Sequence, residues 1–113
     1  MPYIGTQTNK KITREDCLKL KSLLGEAIAI IPGKSENWLM LNFKDEQKMF
    51  FKGESVEMCY AEVKIFGSCE KKDLESLTKK MCEIYESVLK IKPENVYVKY
   101  ELVDNWGWNN ANF

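Results

Sequence analysis

The sequence contains no histidine, and Arg14 is the only arginine among its 17 basic residues. Histidine is the side chain that most often acts as a general base near neutral pH, so such chemistry would need another group here. Scarce arginine leaves few planar guanidinium groups that could bind phosphate through two hydrogen bonds. The formal net charge is zero, and no basic stripe with interleaved aromatic residues is present. Nucleic acid is therefore not the expected partner.

Other absences limit the class of protein further. The four cysteines contain no CxxC pair, and without histidine no zinc-binding spacing exists, so we expect no bound metal. Cys17 and Cys82 fall on predicted helix faces and are interpreted as small buried hydrophobic residues. No segment is apolar enough to span a membrane, and the start lacks a leader pattern. We expect a single domain over residues 1–113, cytoplasmic or exported without a leader.

A short motif occurs twice in the chain. The segment KSEN at residues 34–37 recurs as KPEN at residues 92–95, an offset of 58 positions. Each copy follows a predicted amphipathic helix and precedes a predicted strand. The first helix begins at Thr13, with Asp16 three residues later as in a capping box, and ends at Pro32-Gly33. The second helix stops before Pro93.

The apolar spacing supports both helices and four strands. One helix face carries Cys17, Leu20, Leu24, Ala27 and Ile31, and the other carries Leu74, Leu77, Met81, Ile84 and Val88. Strands are predicted at residues 2–8, 37–43, 58–66 and 95–102, where apolar and polar residues alternate. The sequence thus predicts an α+β fold with two βαβ pseudo-repeats, about 1–43 and 58–102. Right-handed crossovers place both helices on one face of a four-stranded mixed sheet.

The opposite face of the predicted sheet carries large side chains. Trp38, Met40, Tyr60 and Tyr97 fall there, and the connector at residues 44–57 contains the apolar run Met49–Phe51. An exposed apolar sheet face on a small domain indicates a partner surface. We therefore expect an oligomer that covers it.

Pro2 allows two interpretations. Proline is common after an initiator methionine, and the residue can be without function. Alternatively, removal of Met1 makes Pro2 a free secondary amine at the start of a strand. An α-amino group titrates at about 7.7–8.0, and burial disfavours its charged form. A buried amino-terminal proline can therefore act as a base at neutral pH.

Several motifs together resemble one known family. They are MPYI at residues 1–4 with Thr8-Asn9, PGK at 32–34, IFG at 65–67, VYV at 96–98 and WGWNN at 106–110, with Phe113 last. Their order is similar to the macrophage migration inhibitory factor branch of the tautomerase superfamily, from end to end. The resemblance implies a homotrimer whose three sheets form a central barrel. It also implies keto–enol isomerase activity on phenylpyruvate or dopachrome-type compounds, without a cofactor.

The resemblance assigns roles to particular residues. Pro2 would be the catalytic base, and Lys34 would hold the substrate carboxylate. Lys92, which occupies the equivalent position in the second motif copy, is expected to be a solvated lysine. The main-chain N–H of Phe66 would bind substrate. Tyr97 would arrive from the neighbouring subunit, although interface packing is an alternative role. Aromatic walls would come from residues of the second strand and the carboxyl terminus, namely Trp38, Trp108 and Phe113; packing between subunits is the alternative for Trp108.

Three departures from the family pattern modify this expectation. Lys99 stands where Asn is frequent, and a second cation should favour anionic substrates. Trp106 replaces a smaller aliphatic residue, which narrows the mouth of the pocket. The stretch at residues 58–62 lacks the CxxC of the animal cytokine, so thiol-redox activity is not expected.

Two functional hypotheses follow from the sequence, and a third is disfavoured. The first is a trimeric tautomerase with a small 2-keto acid or aromatic enol as substrate. The second is a non-catalytic, cytokine-like protein that binds a host receptor and keeps a vestigial pocket. A ferredoxin-like nucleic-acid module is disfavoured by the zero net charge and by the missing pattern of stacking and basic residues.

Overall fold

The computed structural model describes residues 1–113 and shows a four-stranded mixed sheet with two helices. Its elements are β1 Pro2–Thr8, α1 Arg14–Ala27, β2 Met40–Lys44, β3 Cys59–Phe66, α2 Lys71–Leu89, β4 Val96–Val103, β5 Gly107–Trp108 and β6 Ala111–Asn112. The strand order is β2-β1-β3-β4. The pairs β1/β2 and β3/β4 are parallel, and the central pair β1/β3 is antiparallel. The predicted α+β fold is confirmed.

The core lies between the two helices and one face of the sheet. Alternate residues of β3 are buried there, and the predicted apolar faces of both helices, except Cys17, pack against them. One buried polar contact crosses this layer, where the hydroxyl groups of Thr6 on β1 and Tyr85 on α2 lie 2.7 Å apart. Both helices therefore cover the same face, as predicted.

The start of α1 is as predicted, but its end is not. The Thr13 side chain accepts a hydrogen bond from the Asp16 N–H over 3.1 Å and caps the helix. The α-helix ends at Ala27 and continues as a 3₁₀ helix at Ile28–Ile30, before Pro32 is reached. This tighter winding allows Ile28 and Ile31 both to enter the core.

The predicted strand over residues 37–43 starts too early. Glu36–Trp38 forms a 3₁₀ helix, and β2 begins only at Met40. The reason is the length of its partner: β1 starts at Pro2, and the first β1/β2 pair is Tyr3 with Met40. Leu39 falls opposite Pro2, which has no N–H to donate, and the residues before Leu39 have no strand opposite them. The second motif copy also forms a 3₁₀ helix, at Pro93–Asn95.

The sheet face opposite the helices is less apolar than predicted. Trp38 lies outside the sheet, and the residues in register across the strands are largely charged or polar. The middle of this open face carries Asn42, Glu62, Lys64, Lys99 and Glu101. Its apolar and aromatic residues lie toward the strand ends, with Tyr3, Met40, Phe66 and Val103 at one end and Tyr60 and Tyr97 at the other. The open face is therefore amphipathic.

Two hairpins were not predicted. In the connector, Phe51 pairs with Glu54 around Lys52 and Gly53, and both intervening residues have positive φ. Near the carboxyl terminus, β5 and β6 pair around Asn109 and Asn110, which have φ of 52° and 67°. Two successive positive φ values are typical of the type I′ turn, which Asn tolerates better than most residues.

The cysteines are only partly as predicted. Cys17 and Cys82 are half-buried, whereas Cys59 is the buried one, and none forms a disulfide. Burial raises the pKa of the Cys59 thiol to about 12. Neither helix combines the length and the apolar content that crossing a bilayer requires.

Candidate active site

An open cavity of about 770 Å³ surrounds the amino terminus of β1. Residues from four parts of the chain line it: the amino terminus, the segment before β2, the outer face of β3 and the β5 hairpin. They are Met1, Pro2, Tyr3, Asn37, Trp38, Leu39, Met40, Lys64, Trp106, Gly107 and Trp108. The cavity is mostly apolar, as small-molecule sites usually are.

Met1 occupies the end of this cavity. Its carbonyl oxygen accepts a hydrogen bond from the Phe66 N–H over 3.2 Å. Pro2 follows as a buried residue, in register with Ile65 of β3. The end of β3 therefore holds the amino terminus by the same main-chain donor that was predicted to bind substrate.

Lys34 is brought to the same place by a tight turn. Its N–H donates to the Ile31 carbonyl over 3.1 Å, with Pro32 and Gly33 between them. Gly33 has a φ of 80°, which is the conformation of the third residue in a type II turn. The turn directs the Lys34 ammonium to the Phe66 carbonyl oxygen, 3.1 Å away.

The electrostatics of the amino terminus follow from this arrangement. Burial lowers the pKa of the Met1 amine below its usual value, and the like charge of Lys34 lowers it further. No carboxylate lines the cavity, whose only charged lining side chain is Lys64. A neutral amine and an anionic ligand are both favoured in such a site.

Two tryptophans form one wall. The Trp38 and Trp108 rings meet edge to face with centroids 5.1 Å apart, and each side chain is about half exposed. Trp38 stands on the 3₁₀ helix before β2, and Trp108 stands on β5, next to the Asn109-Asn110 turn. Trp106 also lines the cavity.

Phe113 lies behind the donor group rather than in the cavity lining. Its ring packs on Phe66 with centroids 5.8 Å apart, and its N–H donates to the Trp106 carbonyl over 2.9 Å. The carboxyl terminus is thereby fixed against the end of β3.

Tyr97 and Lys99 are not brought together with Pro2 within one chain. Tyr97 lies at the opposite end of the sheet, in register with Tyr60, where its ring packs on Phe51 with centroids 5.0 Å apart. It borders a second, smaller cavity of about 220 Å³. Lys99 forms an ion pair with Glu101 over 3.0 Å on the open face.

Lys64 and Met1 were not among the site residues predicted from the sequence. Lys64 is the neighbour of Tyr3 in the β1/β3 register, so its side chain lies on the open face beside the amino terminus. The alternation of β3 alone assigned Lys64 to that face; only the register with β1 placed it in the cavity. No cluster of Cys, Asp and Glu side chains could hold a metal ion.

Comparisons with known proteins show which family and which solved structures share this fold. The family model described as "Macrophage migration inhibitory factor (MIF)" matches residues 1–113. The crystal structure of Leishmania major MIF2 superposes with a TM-score of 0.93 at 24% identity, covering 100% of this chain and 97% of that chain. A macrophage migration inhibitory factor homologue from Prochlorococcus marinus gives 0.89 at 26% identity, covering 98% of each chain. An Entamoeba histolytica homologue gives 0.88 at 19% identity and covers 99% of this chain and 98% of that one.

Proposed function

This chain belongs to the macrophage migration inhibitory factor family, and from that premise we propose that it is a keto–enol tautomerase. The proposed base is the Pro2 amine, exposed when Met1 is removed. The proposed substrate is a small 2-keto acid with an aromatic ring, such as phenylpyruvate, or a dopachrome-type compound. The observation that carries the proposal is the amino terminus, which is held in an apolar cavity beside Lys34 and the Phe66 N–H.

Removal of Met1 would move the free amine to a more buried position. Pro2 is buried, whereas Met1 is half-buried. Burial and the Lys34 charge already lower the pKa of the Met1 amine, and both causes act on a Pro2 amine at the same end of β1. A neutral secondary amine at physiological pH can accept a proton from carbon.

The same cleavage would free a hydrogen-bond donor. The Phe66 N–H donates to the Met1 carbonyl, and it loses that acceptor when Met1 leaves. A substrate oxygen can take its place, and a fixed main-chain donor stabilises the charge that develops on an enolate oxygen. Met1 in the untrimmed chain therefore stands where we place the substrate.

The proposed reaction is a proton transfer with no net redox change. In the keto-to-enol direction, neutral Pro2 takes a proton from C3, and the C3–H electrons form the C2–C3 double bond while charge moves to the C2 oxygen. A proton then returns to that oxygen; ketonisation is the reverse. Lys34 holds the carboxylate by a charge-assisted hydrogen bond, and Trp38 and Trp108 flank the ring.

We further propose that a homotrimer completes the site. Tyr97 is 62% exposed and Phe50 is 75% exposed, an unusual position for large side chains on a small domain. A neighbouring subunit whose pocket packs against this end of the sheet would receive Tyr97 near its pocket floor, and each pocket of the trimer would be completed in this way. The open face would then line a central barrel.

The experiment that tests the proposal separates two forms of the same protein. Mass spectrometry quantifies chains with and without Met1, and ketonisation of the phenylpyruvate enol is followed by absorbance. We expect activity only in the Met1-free fraction. A variant with Ala inserted between Met1 and Pro2, and the variant Pro2→Gly, should both lose activity while thermal unfolding stays unchanged.

Full activity of the Ala insertion variant would contradict the proposal. Lys92→Met is the matched control, since Lys92 is the exposed counterpart of Lys34 in the second motif copy, and its activity should equal that of the wild type. Loss of all activity in every form, together with receptor binding by the purified protein, would favour the cytokine-like alternative.

A further inference from the structure

We propose that Lys64 is a specificity-determining residue that selects aromatic 2-oxo acids carrying a second anionic group on the ring. The inference rests on the proposed function, because it concerns the same cavity. Lys64 is the only charged side chain lining the cavity, and the proposed mechanism does not use its charge.

Lys64 has no carboxylate partner within ion-pair distance. Its neighbour in the β3/β4 register is Glu101, but the Glu101 carboxylate pairs with Lys99 over 3.0 Å. The other nearby acid on the same face of β3, Glu62, accepts a hydrogen bond from the Tyr60 hydroxyl over 3.1 Å. Both acids of this face are therefore engaged by other groups.

The Lys64 ammonium lies instead against an aromatic ring of the cavity. Its Nζ is 5.8 Å from the centroid of Tyr3, which also lines the site. A half-buried cation beside an apolar wall binds an anion more strongly than a fully hydrated one does.

Lys34 contacts β3 at one position, whereas Lys64 belongs to β3 at another. Lys34 donates to the carbonyl of Phe66, and Lys64 lies two residues earlier on β3, which is a displacement of about 6–7 Å along the strand. A ligand held by Lys34 through its carboxylate therefore has a second cation available further along the cavity. An uncharged phenyl ring leaves that cation without a partner.

Within one chain, Lys99 is not the second cation of this cavity. The sequence predicted an anion-attracting role for Lys99, yet its ammonium is already paired with Glu101 and lies outside the cavity lining. Lys64 is the residue placed to attract a second anionic group of a ligand in the cavity.

The test uses binding as well as turnover. Phenylacetate and 4-carboxyphenylacetate lack the 2-oxo group, so neither can react, and 4-methylphenylacetate controls for the size of the para substituent. All three tryptophans of the chain line the cavity, so quenching of their fluorescence reports occupancy. We expect the wild type to bind the dianion most tightly.

Substitution of Lys64 should remove that preference selectively. Because a charge-assisted hydrogen bond contributes about 1.5–3 kcal/mol, Lys64→Met should weaken binding of the dianion by about tenfold or more. Binding of the two monoanions should change less than about twofold, and Lys64→Arg should retain the preference. Lys44→Met, on the same sheet face but outside the cavity, is the matched control.

The outcomes separate this inference from the proposed function. Equal losses for all three ligands in Lys64→Met, or no preference in the wild type, would overturn it. A Lys64-dependent preference without phenylpyruvate turnover would leave the anion site standing and refute the tautomerase proposal. With turnover, Lys64→Met should lower kcat/KM for 4-carboxyphenylpyruvate, through a higher KM, about tenfold more than it lowers kcat/KM for phenylpyruvate.

Discussion

The Lys34 ammonium donates to the carbonyl oxygen of Phe66 over 3.1 Å, across 32 positions of sequence. This contact joins the turn after α1 to the end of β3, and the amino terminus lies between them. The same residue, Phe66, uses its N–H to hold the Met1 carbonyl. One residue thus fixes a cation on one side and the chain terminus on the other.

Substitution of Lys34 should change the pH dependence of the proposed reaction. The base must be neutral, so activity rises with pH through the pKa of the amine. Lys34 lowers the pKa of the terminal amine, so Lys34→Met should raise that pKa and move the acidic limb of the kcat/KM profile to higher pH. Loss of the carboxylate contact should also reduce kcat/KM about tenfold or more at the optimum.

The measurement is a pH profile of kcat/KM with phenylpyruvate. Lys92→Met provides the comparison, because Lys92 is exposed at the equivalent motif position. An acidic limb that stays in place in Lys34→Met, or that moves to lower pH, would show that Lys34 does not act on the base.

The donor role of Phe66 can be separated from its side chain. Phe66→Ala keeps the N–H and loses only the ring contact with Phe113, so most activity should remain. Phe66→Pro removes the N–H, and loss of one such donor costs about 100-fold or more in kcat. Equal activity of the two variants, with thermal unfolding showing both folded, would exclude the main-chain donor from the mechanism.

The buried pair Thr6 and Tyr85 should show strong energetic coupling. Tyr85→Phe leaves the Thr6 hydroxyl buried without its partner, which costs about 1–3 kcal/mol in the free energy of unfolding. Thr6→Val leaves the buried Tyr85 hydroxyl without its hydrogen-bond partner in the same way. The double variant removes both polar groups and should cost less than the sum of the single changes.

Urea unfolding at one fixed protomer concentration measures this coupling, because assembly would otherwise alter the apparent stability. Additive losses in the double variant would mean that the 2.7 Å contact contributes nothing beyond packing.

The sequence predicted the layers of the fold because each layer has a local periodic signal. Alternation in β3 placed Cys59, Ala61, Val63 and Ile65 in the core, and the structure confirms this pattern. The boundary of β2 was wrong because it depends on where the partner strand begins, which is not a local property. Trp38 consequently lies on a 3₁₀ helix instead of a strand.

The candidate site was predictable to a similar extent. Pro2, Lys34, Phe66 and the tryptophans follow from motifs, and the structure brings them to one end of the sheet. Lys64 depends on the register between two strands distant in sequence, which no single segment encodes. The placement of Tyr97 in a pocket depends on a second chain and stays a prediction.

Under the proposed mechanism, the Met1–Phe66 hydrogen bond would keep the chain inactive until Met1 is removed. With Met1 attached, the chain would block its own donor and carry its proposed base as an amide, so this form would be in effect a zymogen. Hydrolysis of the single Met1–Pro2 bond would activate it, with no change of fold required. The amount of working enzyme in a cell would then depend on its methionine aminopeptidase activity as well as on synthesis of the chain.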